Sequence, residues 1–154
     1  MARFRFMLDT NVVIDYLQDR EPFRKSSLLL MMLGRIGEFE LWLLESQFTD
    51  LVFILSEGGK PSLMPDTLEQ LRGLRTFVEV HSSGSLGIDL MLASDWSDPE
   101  DALIHEAALA LQADAIITRN QKDFADGLVK ALDCEELFTY LETTHNLAYS
   151  LESL

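Results

Sequence analysis

Along the chain, solid apolar runs and alternating stretches give way repeatedly to a helical spacing. Arg3 to Leu8 alternates basic and apolar residues and then turns wholly apolar, which predicts a short strand at about 4–8 with one solvated end. Val12, Val13, Tyr16 and Leu17 recur at helical spacing and predict a helix at about 11–18. A second helix is expected across EPFRKSSLLLMMLGRI, with Pro22 in its first turn. EFELWLL reads as a strand, and Ser46 is placed to cap the helix QFTDLVFILSE, which stops before Gly58, Gly59 and Pro61. SLMPDTLEQLRGL is helical, TFVEVH a short strand, and GSLGIDLMLASDW a helix weakened by Gly87. DPEDALIHEAALALQ carries the clearest helix signal: Asp98 as cap, Pro99 at the first position, and apolar residues at 103, 104, 107, 108 and 111. ADAIITRN is a strand running into a loop, LVKAL a last short strand, and Asp133 a cap for CEELFTYLETTHNL. Strands alternating with helices predict an α/β class protein, a three-layer α/β/α sandwich around a mainly parallel sheet of four to five strands. No linker divides the pattern, so residues 1–154 are expected to form a single domain.

Composition narrows the options. At 154 residues, with 47% apolar and 25% charged positions, the chain has the balance of a soluble domain with a sizeable core. Its longest purely apolar run, LLLMML, is far short of the ~20 residues that span a bilayer. MARFRFML leads straight into the patterned region without the long apolar stretch of a secretory leader. Cys134 is alone, which excludes an internal disulfide, lacks the companions a zinc site needs, and fits a reducing cytoplasmic setting. His81, His105 and His145 have no metal-ligand spacing.

The net charge of −14 argues against a broadly basic nucleic-acid surface. It is also unevenly spread. Residues 1–35 hold six Lys or Arg against four acids, whereas the rest of the chain holds six against 22. A polyanionic partner would have to approach through the N-terminal region or a local patch; for most of the acids, solubility is a sufficient explanation.

Four acids fall at comparable places and ask for more. Asp9 follows the first strand, Asp50 lies early in the helix after the second, Asp101 lies in the first turn of DPEDALIHEAALAL, and Asp123 follows AIIT within TRNQKDF. In a parallel sheet these turns share one edge, and ligands gather at the carboxyl ends of strands. Clustered carboxylates repel one another unless a divalent cation lies among them, and Mg²⁺ and Mn²⁺ favour such hard oxygen donors. Each acid has an ordinary reading as well. Asp9 can cap a helix, Asp98 and Asp101 have the spacing of a capping pair, Asp123 can be a loop acid and Asn120 a turn residue. Asp50 is harder to set aside, because within FTDLVFIL an enclosed and unpaired carboxylate would cost several kcal/mol.

Taken together, LDTNVVIDYL, ESQFTDLVFIL, DPEDALIHEAALALQADAIITRNQKDF and the acidic closing helix resemble the PIN-domain family over nearly the whole chain. The resemblance is nearest to the small prokaryotic VapC-like toxins. It implies a Mg²⁺- or Mn²⁺-dependent endoribonuclease that leaves a 5′-phosphate and a 3′-hydroxyl, and metal ligands and catalytic acids at Asp9, Asp50, Asp101 and Asp123. It also implies supporting positions at Asn11, Thr118, Asn120 and Asp98, with the Thr118 hydroxyl orienting water. Many relatives have Asp where Asn120 stands, which leaves Asp123 or Asp98 to serve the fourth place. The toxins of this family are held by an antitoxin protein and form homodimers through their early helices. An exposed Met31–Met32 face would suit such contacts, although the pattern of SLLLMMLGRI reads first as core.

Substrate contacts are expected from Arg119 and Lys122, which flank the site, with Arg20, Arg24 and Lys25 as an outer patch. Trp96 and Phe124 are near suitable loops for base stacking, Phe124 being the better core anchor. The rival reading is a catalytically weakened PIN-like module that works through a protein partner, which suits Asn120 and the charge of −14. A phosphotransferase using Asp9 as nucleophile would want a second Asp two residues on, where Asn11 stands.

Overall fold

The computed structural model describes residues 2–154. Its element order is β1 (Phe4–Leu8), α1 (Thr10–Leu17), α2 (Arg24–Arg35), β2 (Phe39–Leu44), α3 (Glu45–Leu55), α4 (Met64–Arg75), β3 (Val78–His81), α5 (Gly84–Leu92), α6 (Pro99–Ala110), β4 (Ala115–Ile117), β5 (Ala131–Leu132) and α7 (Cys134–His145). A short 3₁₀ turn at Gln121–Phe124 joins β4 to β5. The five strands form one sheet in the order β3-β2-β1-β4-β5, and every neighbouring pair is parallel. β1 is therefore central, with Leu8 opposite Ile117 and Met7 opposite Trp42.

Central strands covered on both faces become apolar runs, which is why FRFML ends in three buried residues and AII is buried throughout. Successive side chains then feed two cores. Phe6 and Leu8 pack with Phe39, Leu41 and Leu43, beneath Val13, Leu30, Met31, Leu51, Leu74 and Leu137. Met7 and Ile116 face the other way, against Leu103, Ile104, Ala107, Ala108 and Phe124. Helices α1–α4 and α7 thus cover one face and α6 the other, giving the expected α/β/α sandwich. Phe124 is a core anchor, and Trp96 packs on its ring and on that of His105 at 5.7 and 4.9 Å between centroids. Met31 is fully buried and Met32 partly so, as the core reading of SLLLMMLGRI requires.

Several local expectations shift. Pro22 lies outside α2, whose first turn closes on the Phe23 carbonyl through Ser27 N–H at 3.0 Å. Ser46 does not cap α3, because the helix has already begun at Glu45 on an extended Leu44. Gln47 takes that part: its Oε1 accepts the Leu44 N–H at 2.7 Å, a capping-box half-bond. Its Nε2 donates to the Leu8 carbonyl at 2.9 Å and to Thr10 Oγ1 at 3.2 Å. Gln47 is fully buried, so one amide clamps the exit of β1 to the start of α3. No helix among the described residues is long and apolar enough to cross a membrane.

Replacing Gln47 with Leu keeps the volume but strips partners from a buried N–H and a buried carbonyl. Each lost partner costs about 1–3 kcal/mol. Urea unfolding of Gln47→Leu should therefore show a loss of about 2 kcal/mol or more, with an unchanged slope.

Candidate metal centre

The sheet order reverses between β1 and β4, since β1 leads outward to β2 and β3 on one side while β4 and β5 lie on the other. Such a switch point leaves a crevice beyond the carboxyl ends of the two strands. Register decides what lines it. Because Leu8 pairs with Ile117, the next residues on the two strands are Asp9 and Thr118, and the Asp9 N–H donates to the Ile117 carbonyl at 2.9 Å. The Thr118 hydroxyl donates to Asp9 Oδ2 at 2.7 Å and accepts the Asn120 N–H at 2.9 Å. The Thr10 N–H reaches Asp9 Oδ1 at 2.7 Å, and Asn11 Nδ2 lies 3.5 Å from Asp9 Oδ2. Asp9 is 9% exposed. Burial pushes its carboxyl above the ordinary Asp value, the hydrogen bonds from Thr118 and Thr10 oppose this, and the charges of Asp123 and Asp98 raise it further.

Helix α6 delivers the next acids. Asp98 caps it, its Oδ1 accepting the Glu100 N–H at 2.9 Å, and Pro99 opens it as the sequence predicts. Asp101 stands in the first turn and is partly exposed. Its carboxyl is pushed up to about 7, first by desolvation and then by the negative charges of Asp98, Asp9, Asp123 and Glu100. Glu100 is raised as well, by burial and by Asp50, Asp98 and Asp9. Asp9, Asp98, Asp101, Asp123 and Glu100 therefore share one electrostatic pocket, and Asp50 joins it from α3 through Glu100.

Asp9, Asp98, Asp101 and Asp123 thus lie within reach of one another's charge, and the surroundings of other expected residues differ from what the sequence implies. Asp50 is not the enclosed carboxylate its apolar surroundings imply; it is partly exposed, because α3 turns Phe53 (65% exposed) and Ile54 (39%) to the surface. Asn120 and Asp123 are exposed, linked by the Asp123 N–H to the Asn120 carbonyl at 3.0 Å. Thr118 is fully buried, with its hydroxyl bonded to Asp9 and to the Asn120 N–H.

Arg119 has partners within the protein. Nε and Nη2 grip Asp15 Oδ2 and Oδ1 at 2.6 and 3.2 Å, and the guanidinium carbon lies 4.2 Å from the Phe23 ring centroid. Lys122 is exposed on the 3₁₀ turn. Sequence reasoning passed over Asp15 and Glu100. Asp15 interrupts the apolar spacing of α1 and is buried there, a signal visible in VVIDYL, whereas Glu100 is masked by the ordinary preference for acids in a first turn.

Among the described residues, no three His, Cys, Asp or Glu side chains are arranged to hold a metal ion as they stand. The acids repel across a shared pocket without meeting at one point. That fits Mg²⁺ or Mn²⁺ better than a tight protein cage, because Mg²⁺ keeps several waters and takes only one or two direct carboxylates. The donors are all hard oxygens, and the charges acting on Asp101 are all negative, so a dication there would offset their repulsion.

The PIN domain family model matches residues 5–122. The chain belongs to the PIN domain family. The match stops one residue before Asp123 and takes in the other predicted site residues. PIN domains are generally nucleases, so this PIN domain carries the expected hydrolase architecture. No curated protein is similar enough to match it. Among solved structures, a chain of VapBC2 from Rickettsia felis bound to a DNA fragment from its promoter superposes with a TM-score of 0.59 and 16% identity. The overlap spans 84% of this PIN domain and 97% of that chain, a likeness of fold.

The raised Asp101 pKa has a definite sign for stability. Between the ordinary value of 3.8 and about 7 the folded state binds the proton more tightly than the unfolded state, so this contribution is lost as pH rises through that window. Asp101→Asn should thus be more stable than wild type in thermal unfolding at pH 8, with the gap closing toward pH 4. A constant gap across that range would contradict the like-charge pocket.

Proposed function

We propose that this PIN domain is a metal-dependent endoribonuclease that hydrolyses RNA phosphodiester bonds. The observation that carries the reading is the crevice beyond β1 and β4 of this PIN fold, where Thr118 and Thr10 fix Asp9 and the desolvated Asp101 feels the charges of Asp98, Asp9 and Asp123. Asp9 and Asp101 would hold Mg²⁺ or Mn²⁺, with Asp50, Asp98, Glu100 and Asp123 within the same field. Such an ion, when bound, supplies Lewis acidity to the phosphoryl group and favours ionisation of water at neutral pH. The chain's own residues do the positioning. Thr118 and the Thr10 N–H fix the Asp9 carboxylate, while Asn11 lies beside it and accepts the Arg119 N–H at 3.3 Å. Lys122 is the basic side chain exposed on the turn that carries Asp123, and it is the candidate phosphate contact that stays available. Because the edge is acidic, RNA affinity should depend strongly on the divalent ion.

The second reading, a module that works through a protein partner, draws on an open groove of about 420 Å³ between α3 and α4. Phe48, Val52, Leu68 and Leu71 line it, and Arg72 and Arg75 stand at its rim. An antitoxin would suit such a groove, as the likeness to VapBC2 encourages. We infer a cytoplasmic homodimer controlled by that partner, compatible with either reading.

Purified protein should cleave mixed RNA with Mg²⁺ or Mn²⁺ and stop with EDTA, and Mn²⁺ should raise its melting temperature by binding the native state. Asp9→Asn should lower cleavage at least about 100-fold while the fold persists. Undiminished cleavage by Asp9→Asn, in a preparation free of other nucleases, would remove Asp9 from the mechanism. A wild-type protein inert with either ion would favour the partner-binding module.

A further inference from the structure

Helix α1 turns one face toward the loop that follows β4. Asn11 and Asp15 are one helical turn apart and therefore share that face. Both hold Arg119: Asn11 Oδ1 accepts its backbone N–H at 3.3 Å, and the Asp15 carboxylate takes the guanidinium in a two-pronged pair. Asp15 is 1% exposed and the Arg119 side chain 29%, so this is no rim contact between mobile surface groups. The Phe23 ring covers the guanidinium from the chain entering α2. Immediately before Arg119 is Thr118, whose hydroxyl holds Asp9; immediately after it is Asn120, whose N–H returns to that hydroxyl.

We infer that the Asp15–Arg119 pair is a positioning device for the acidic crevice. It pins the loop after β4 to α1, so that the Thr118 hydroxyl stays on Asp9 and the turn bearing Asp123 stays in the pocket. A fork rather than a point charge is required, because two parallel hydrogen bonds fix orientation as well as distance. The geometric claim stands on the contacts alone, while its consequence for cleavage rests on the nuclease reading.

A buried ion pair replaced as a unit by apolar residues of similar size usually leaves a folded protein, whereas removing one partner does not. The test therefore compares wild type, the double variant Asp15→Leu with Arg119→Met, and Arg119→Lys, by hydrogen exchange and steady-state cleavage. In the double variant, exchange at the Arg119 and Asn120 amides should quicken at least about tenfold while the β1 and β4 amides keep their protection. Its kcat should fall at least about tenfold with KM within about twofold, the pattern of misplaced groups rather than lost binding. Arg119→Lys, which keeps the charge and loses the fork, should fall between the two, and it decides the matter if the double variant does not fold. Native exchange at residues 119 and 120, or native kcat, in a folded double variant would overturn the inference, as would wild-type behaviour of Arg119→Lys where that variant has to decide. If wild type itself cleaves no RNA, the nuclease reading fails and the exchange result alone decides the positioning claim.

Discussion

Repulsion among carboxylates at the end of the central strand sets the terms for this molecule. Burial and the charges of neighbouring acids raise the proton affinity of Asp9, Glu100 and Asp101, with Asp98 and Asp123 among the charges acting on them, and Asp101 is pushed to about 7. A fold built for stability alone would disperse these charges. Here they are delivered by separate elements, each with its own local reason for being where it is. Asp9 ends β1, Asp98 caps α6, Asp101 follows in its first turn, and Asp123 hangs from the 3₁₀ turn after β4.

Hydrogen bonds fix two of these acids in direction, Asp9 through Thr118 and Thr10 and Asp98 through the Glu100 N–H. Parallel pairing of Leu8 with Ile117 puts Thr118 beside Asp9, and the Thr118 hydroxyl stabilises a carboxylate whose proton affinity burial raises. Gln47 ties the exit of β1 to α3, and Arg119 ties the exit of β4 to α1. Both junctions are made by polar side chains, Gln47 buried and Arg119 partly so, with their partners in place, the condition under which such groups add rigidity rather than cost. The site is therefore built on strand ends with firm backing. A divalent ion, if bound there, would add charge rather than architecture.

Much of this is legible in the residues. The alternation of strand and helix signals gives the layer order, and the caps Asp98, followed by Pro99, and Asp133 mark helix starts with accuracy, since their side chains accept specific backbone N–H groups. Contacts that depend on register are not legible. Nothing local says that Thr118 meets Asp9, or that Arg119 pairs with Asp15, because those partners are 109 and 104 positions apart in the chain. Asp50 shows the reverse error. Its apolar neighbours imply enclosure, yet Phe53 and Ile54 are themselves turned outward, so a pattern of residue types misjudged the face. Ser46 failed for a similar reason, as a buried Gln three residues past the strand made the better cap.

Crystals grown with Mn²⁺ and measured for anomalous scattering test the central claim most directly. The account predicts an anomalous peak in the β1–β4 crevice, bounded by Asp9 and Asp101 and surrounded by ordered water. An empty crevice at saturating Mn²⁺, with both carboxylates turned away from a common point, would contradict it.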